Sequence, residues 1–195
     1  MNGEVVLLRT PRYGDARGWF SETWSRARFA AVGIDCDFVQ DNQSWSEASG
    51  VVRGLHFQRP PYAQAKLVRC LRGAILDVVV DLRAGAPSFG RAHAVELTAE
   101  SGDQLFVPPC FAHGFATLRP GTEVAYKVSA PYAPTHEAGL AWDDPDLEIP
   151  WPVTAEQAVL ADRDRAWPRL RDLDTPFRGD QASVLSIVDL GAANR

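Results

Sequence analysis

Cysteine, basic charge in excess and long apolar runs are all scarce in this 195-residue chain. Cys36, Cys70 and Cys110 are an odd set without metal-type spacing, so neither a disulfide framework nor a cysteine-held metal is expected. Lys and Arg total 20 against 25 Asp and Glu, a net charge of −5 that argues against a nucleic-acid or anionic-membrane surface. Apolar runs such as Val78 to Val80 fall far short of the roughly 20 residues a membrane-spanning helix needs. The N-terminus lacks an apolar signal segment, which together with the cysteine usage points to a reducing cytoplasm. Internal repeats and low-complexity tracts are absent as well.

What the chain does have is a series of short β-branched or alternating runs punctuated by Gly, Pro, Asp and Asn. These are VVLL at 5–8, GVVRGLHF, KLVRCLRG, AILDVVVDL, RAHAVELT, DQLFVPP, GFATL and EVAYKVS. The pattern predicts an all-β sandwich or barrel. Two stretches differ. SRARFAAVG (25–33) has a Ser cap, helix-compatible apolar spacing and a terminating glycine, and predicts one short helix. Thr154 and Gln157 have the spacing of a capping box, predicting a helical cover over one barrel end that Pro168 stops. One domain over 1–177 is expected, followed by a tail at 178–195 whose weak apolar pattern fits a packed or a frayed segment equally.

Side chains alternate along a strand, and small barrels open at one end often hold a ligand. In EVAYKVS, Tyr126 shares a face with Val124 and Val128, so its hydroxyl needs a partner on the core side. In KLVRCLRG, Lys66 shares its face with Val68 and Cys70, a costly place for an amine unless it reaches solvent or meets an anion or cavity. His56 alone reads more readily as a hydrogen-bonded core or rim residue than as a catalyst. Arg53 and His56 have opposite parity, and both can face one cavity if the strand bulges at Gly54.

Several ordered motifs carry a resemblance over residues 4 to about 177: DARGWFSE (15–22), FVQDNQSWS (38–46), VRGLHFQ (52–58), AKLVRCLRGAILDVVVDLR (65–83), GDQLFVPPCFAHGFATL (102–118), EVAYKVSAPY (123–132) and LADRD (160–164). With them the sequence resembles the dTDP-4-dehydrorhamnose 3,5-epimerases, jelly-roll barrels of the cupin superfamily. The resemblance implies an all-β cupin-type barrel with short flanking helices, acting without a cofactor on a dTDP-linked 4-keto-6-deoxy sugar and inverting C3 and C5.

Carbons beside a ketone lose a proton to give an enolate, so such a site needs a base, an acid on the opposite ring face and a cation at the oxygen. Carried over by motif, His56 is the implied base, Asp164 its orienting partner, Tyr126 the acid and Lys66 the charge at the C4 oxygen. Arg17, Phe20, Glu22, Gln40, Asn42, Arg53, His113, Tyr132, Glu137 and Arg163 are the implied substrate-binding residues. No metal is expected: metal cupins carry H-x-H with a carboxylate, whereas this strand has His56-Phe57-Gln58 and a lysine at 66. The family pairs its barrels through N-terminal strands, implying a homodimer.

Two departures stand out. Cys110 replaces a usual glycine in a turn that would favour positive φ, putting the placement of His113 in question, and Arg163 replaces a usual lysine. Alternative readings are a single-centre epimerase or ketoisomerase on a related nucleotide sugar, a non-catalytic sugar-nucleotide-binding cupin, and a Cys110/His113 nucleophilic enzyme.

Overall fold

A computed structural model describes residues 4–191. The strands in chain order are β1 (Glu4–Arg9), β2 (Tyr13–Asp15), β3 (Gly18–Phe20), β4 (Gln40–Ser46), β5 (Val52–Gln58), β6 (Lys66–Arg72) and β7 (Ala74–Asp81). They continue with β8 (Ala92–Thr98), β9 (Gln104–Val107), β10 (Phe111–Thr117), β11 (Thr122–Val128), β12 (Glu137–Gly139) and β13 (Val184–Asp189), and the one α-helix described is α1 (Arg26–Ala31). A six-stranded sheet ordered β13-β1-β9-β6-β11-β4 faces a five-stranded sheet ordered β12-β5-β10-β7-β8, while β2 and β3 form a separate hairpin. This is the expected jelly roll.

Alternation explains the core. Val68 and Cys70 of β6, Val124 of β11 and Leu105 and Val107 of β9 point from the six-stranded sheet. They meet Ile75 and Val79 of β7 and Phe111 and Phe115 of β10 from the other. Lys66 and Tyr126 continue those same inward rows toward one end of the barrel, so the parity that buries the valines also delivers the polar groups to its mouth.

Helix α1 forms where expected and terminates with Gly33 at φ 85°, its N–H donating to Ala30 O, although the Ser25 side chain makes no cap bond. The predicted C-terminal helix does not form. Gln157 Oε1 accepts from Thr154 N at 3.2 Å as a capping box requires, but one turn later Val159 N donates to Gly50 O and Val159 O accepts from Val52 N. Those strand-type bonds take the backbone groups that a helix would need. Short 3-10 turns follow at Asp162–Arg165 and Leu170–Asp172 instead.

Strand β4 was invisible in the sequence because it is polar on both faces. Asp41, Gln43 and Trp45 look outward, while Asn42 and Ser44 line the cleft described below rather than an apolar core. Residues 178–191 pack: β13 adds to β1 in parallel, Glu4 to Arg9 against Val184 to Asp189, and Leu190 is fully buried.

Candidate active site

One mouth of the barrel opens into two adjoining chambers of about 360 and about 350 Å³ that share His56, Lys66, Tyr126 and Arg163. Arg53, His113, Phe115 and Asp164 line the first. Gln40, Asn42, Tyr132 and Glu137 line the second.

His56 stands on β5 and pairs across the sheet with His113 on one side and Gly139 on the other. Its Nε2 is 2.7 Å from Asp164 Oδ1, and Gly54 N–H donates to Asp164 Oδ2 at 3.3 Å. Asp164 is buried, and although burial pushes its carboxyl up, the hydrogen bond and charge of His56, with Gly54 N–H and Arg163, hold it below the usual carboxylate value. A carboxylate on Nε2 leaves Nδ1 as the nitrogen free to act as a base. The predicted bulge is present: the β5–β10 register shifts between Arg53 and His56, with Gly54 at φ 127°. A β-carbon there would lie 2.6 Å from Gly114 Cα, so glycine is a steric requirement. Trp167 stands edge-on to the imidazole at 6.1 Å and packs where a Gly139 β-carbon would be.

Lys66, on β6 in the opposite sheet, is buried and donates to His56 O at 3.3 Å. Burial lowers its amine to about 8 against the pull of Asp77 and Glu137. Tyr126 enters from β11 of that same opposite sheet, and burial raises its phenol, so the hydroxyl keeps its proton at neutral pH. His113 is buried with Nε2 2.7 Å from Asp77 Oδ1. Burial outweighs the attraction of Asp77 and lowers this imidazole, which favours the neutral ring with Nε2–H donating to the carboxylate.

At the second chamber, Glu137 takes Arg163 Nη1 at 3.3 Å and the Tyr132 hydroxyl at 3.1 Å, while Arg163 Nε lies 3.5 Å from Asp164. Arg53 donates to Trp45 O at 3.0 Å. Gln40 Nε2 donates to Asn42 Oδ1 at 2.8 Å and its Oε1 accepts from Tyr132 N. These side chains hold one another at the rim and line the second chamber with polar groups.

Three expected site residues are not in this cleft. Arg17 folds back on Asp15 at 2.6 Å, Glu22 pairs with Arg28 at 3.3 Å, and Phe20 is 69% exposed; Arg17 and Phe20 lie on the β2–β3 hairpin and Glu22 just beyond it. The hairpin joins neither barrel sheet; Gly18 at φ 131° lies at its turn, and Arg12 stacks over Trp19. Cys110 also departs from expectation. Glu148 is the one non-glycine residue at positive φ among the described residues, so Cys110 carries no left-handed strain, and His113 pairs in regular register with Val79 of β7. Burial pushes the Cys110 thiol up to about 11 and the His113 Nε2 is committed to Asp77, which removes the basis for a thiolate nucleophile. Gln58, the second position of the absent H-x-H, spends its amide on Tyr62 O, Pro131 O and Ala133 N. Among the described residues no group of three His, Cys, Asp or Glu side chains is gathered as a metal site.

Asp77 escaped the sequence reading. Its signal was a lone acid inside AILDVVV on the inward row of Ile75 and Val79. Trp167 had no comparable signal.

A family model described as dTDP-4-dehydrorhamnose 3,5-epimerase matches residues 3–172. The chain belongs to that epimerase family. The dTDP-4-dehydrorhamnose 3,5-epimerase of Sinorhizobium fredii is 49% identical over 175 residues, covering 90% of this chain and 89% of the relative. The Bacillus anthracis 3,5-epimerase structure, solved with TDP and pyrophosphate bound, superposes with a TM-score of 0.81 at 46% identity, covering 84% of this chain and 92% of that one. A Legionella pneumophila 3,5-epimerase in complex with dTDP-4-keto-L-rhamnose gives a TM-score of 0.81 at 41% identity, covering 85% and 87%. Membership makes the chain an isomerase of nucleotide-sugar metabolism.

Proposed function

We propose that the chain inverts C3 and C5 of the 4-keto sugar in dTDP-4-dehydro-6-deoxyglucose, giving dTDP-4-dehydro-L-rhamnose. The observation that carries this reading is that His56 and Tyr126 enter the cleft from opposite sheets, with Lys66 on the strand next to that of Tyr126 and bonded to the His56 carbonyl. A base and an acid on facing walls can address the two faces of one sugar ring.

In each half-reaction His56 Nδ1 takes the proton from the carbon beside the ketone, and the C–H electron pair moves into the enolate. The developing imidazolium is stabilised by Asp164. The ammonium of Lys66 carries the charge at the C4 oxygen, where a buried donor is worth more than in water. Tyr126 then gives its proton to the carbon from the other face. The tyrosinate is reprotonated from the open cleft and His56 releases its proton there, so the enzyme returns to its starting state. The chemistry calls for no metal, and full turnover after exhaustive chelation is expected.

Proton NMR in deuterated water on the dTDP-4-keto sugar tests the reading, with exchange at both C3 and C5 expected. Exchange at one carbon would support the single-centre alternative, and exchange at neither would support the sugar-nucleotide-binding alternative.

The working unit in this reading is a homodimer. Trp19 and Phe20 are 61% and 69% exposed on the hairpin, and the Arg17 and Phe20 motif is missing from its own cleft. Docking that hairpin at the neighbour's cleft covers the aromatics and brings Arg17, Phe20 and Glu22 to the nucleotide. A Trp19→Ser, Phe20→Ser variant that stays dimeric in sedimentation, with unchanged KM, would refute it. Three free cysteines, two of them buried, fit the cytoplasm as its compartment. No described helix is long and apolar enough to cross a membrane.

A further inference from the structure

Below the cleft floor lies a carboxylate for which the mechanism above has no use. Asp77 points inward from β7 between Ile75 and Val79 and is fully buried. Its Oδ1 accepts from His113, and its Oδ2 has no hydrogen-bond partner among the described residues. A fold gains little from such a group, because a buried carboxylate oxygen left unpaired is costly.

Lys66 has the complementary problem. Its amine is buried, forms no ion pair among the described residues, and is held by a single bond to the His56 carbonyl at 3.3 Å. The groups around it are His56 from β5, His113 from β10, Tyr126 from β11, Glu137 from β12 and Asp77 from β7. Glu137 is already shared between Arg163 and Tyr132, and the two histidines and the phenol bring no negative charge at neutral pH beyond that of Asp164, which faces His56. Asp77 is therefore the buried anion with unspent capacity.

We propose that Asp77 is a positioning residue for the epimerisation, holding His113 by a hydrogen bond and keeping Lys66 positively charged from beneath the cleft. Acting at a distance matters. A direct ion pair would occupy the ammonium protons, whereas a carboxylate set behind His113 supports the charge and leaves those protons for the ketone oxygen. The same bond directs the bare His113 Nδ1 away from Asp77, as an acceptor for a sugar hydroxyl. Burial already brings the amine to about 8, so losing Asp77 would carry it into the neutral range.

This inference rests on the role given to Lys66, and the test separates the two. The chain contains two lysines, Lys66 and Lys127, so enzyme carrying lysine labelled with 13C at Cε gives two resonances. Lys127, paired with Asp41 at 2.8 Å on the outer face, serves as the internal reference. In Asp77→Asn and Asp77→Ser the Lys66 midpoint should drop by about one pH unit or more, with Lys127 unmoved. The alkaline limb of kcat/KM should drop with it, kcat at pH 7.5 should fall about tenfold, and KM should stay within about twofold. Asp77→Glu should keep the limb while lowering kcat. An unmoved Lys66 midpoint in a folded neutral variant overturns the proposal. So does failure of both neutral variants to fold, which would make the carboxylate purely structural. Lys66→Met checks the underlying role independently: turnover retained there sinks the role of Lys66, while the resonance shift still decides whether Asp77 sets its charge.

Discussion

Two His–Asp pairs meet at the floor of this cleft, each joined Nε2 to Oδ1 at 2.7 Å, and their surroundings differ in almost every other respect. His56 keeps 19% of its side chain exposed and takes its carboxylate from a 3-10 turn more than a hundred residues away in sequence. Asp164 is fully engaged there, by His56, Gly54 N–H and Arg163. His113 and Asp77 face each other from adjacent strands inside the barrel, with one carboxylate oxygen unpaired. Contact geometry therefore does not distinguish the proposed base from the buried pair beside it. Water access and the number of groups spent on the carboxylate do: burial lowers the His113 imidazole and favours its neutral ring, whereas His56 stands open to the cleft.

Loss of the His56 imidazole should be the most damaging change. His56→Ala should cost roughly 10²–10⁴-fold in kcat and remove solvent exchange at both carbons, as expected for the loss of a general base. Equal and mild effects of His56→Ala and Tyr126→Phe would contradict the assignment, since Tyr126→Phe should preserve exchange better than net inversion. Asp164→Asn should cost about 10²-fold by leaving the imidazole without its carboxylate, appreciably more than the effect of Asp77→Asn. If the two asparagine variants lose activity alike, with the Lys66 titration unchanged, the distinction between the pairs fails.

Gly54 links the pairs, since its N–H serves Asp164 while its α-carbon packs on Gly114 beside His113. Gly54→Ala should lower stability by about 2–4 kcal/mol in a denaturant titration, through the clash and the positive φ. The smallest expected effect concerns Lys66 and pH. Its folded value of about 8 lies below the unfolded 10.5, so burying the charged amine opposes folding fully below pH 8, and that opposition is relieved between pH 8 and 10.5. Lys66→Met should accordingly be more stable than the unaltered protein by at most roughly 3 kcal/mol at pH 7, with the gap closing above pH 8. A pH-independent gap would mean the amine is not buried in its charged form.

Strands with one apolar face were legible because alternation and turn residues are local signals. So were the inward positions of Lys66 and Tyr126, which share parity with Val68 and Val124. Strand β4 was not, because its inward face meets the cleft rather than core, and neither was the path after the Thr154–Gln157 capping box, where the chain closes one turn and then bonds to Gly50 and Val52. The cluster of His56, Lys66, Tyr126 and Asp164 was anticipated through family motifs. Arg17, Phe20 and Glu22 came from the same motifs yet sit outside this chain's cleft, since a motif carries residue types and order but not the position in space that the β2–β3 hairpin gives them.

Residue order alone thus settled the all-β class, the bulge at Gly54 and which strand residues face inward, all consequences of a two-residue period and of backbone sterics that act over a few positions. Tertiary structure decided that Asp164 rather than another acid meets His56, that Asp77 lies behind His113, and that His56 and Tyr126 stand on opposing walls. Those depend on which strands become neighbours and how far each group is removed from water, quantities that a linear pattern does not contain.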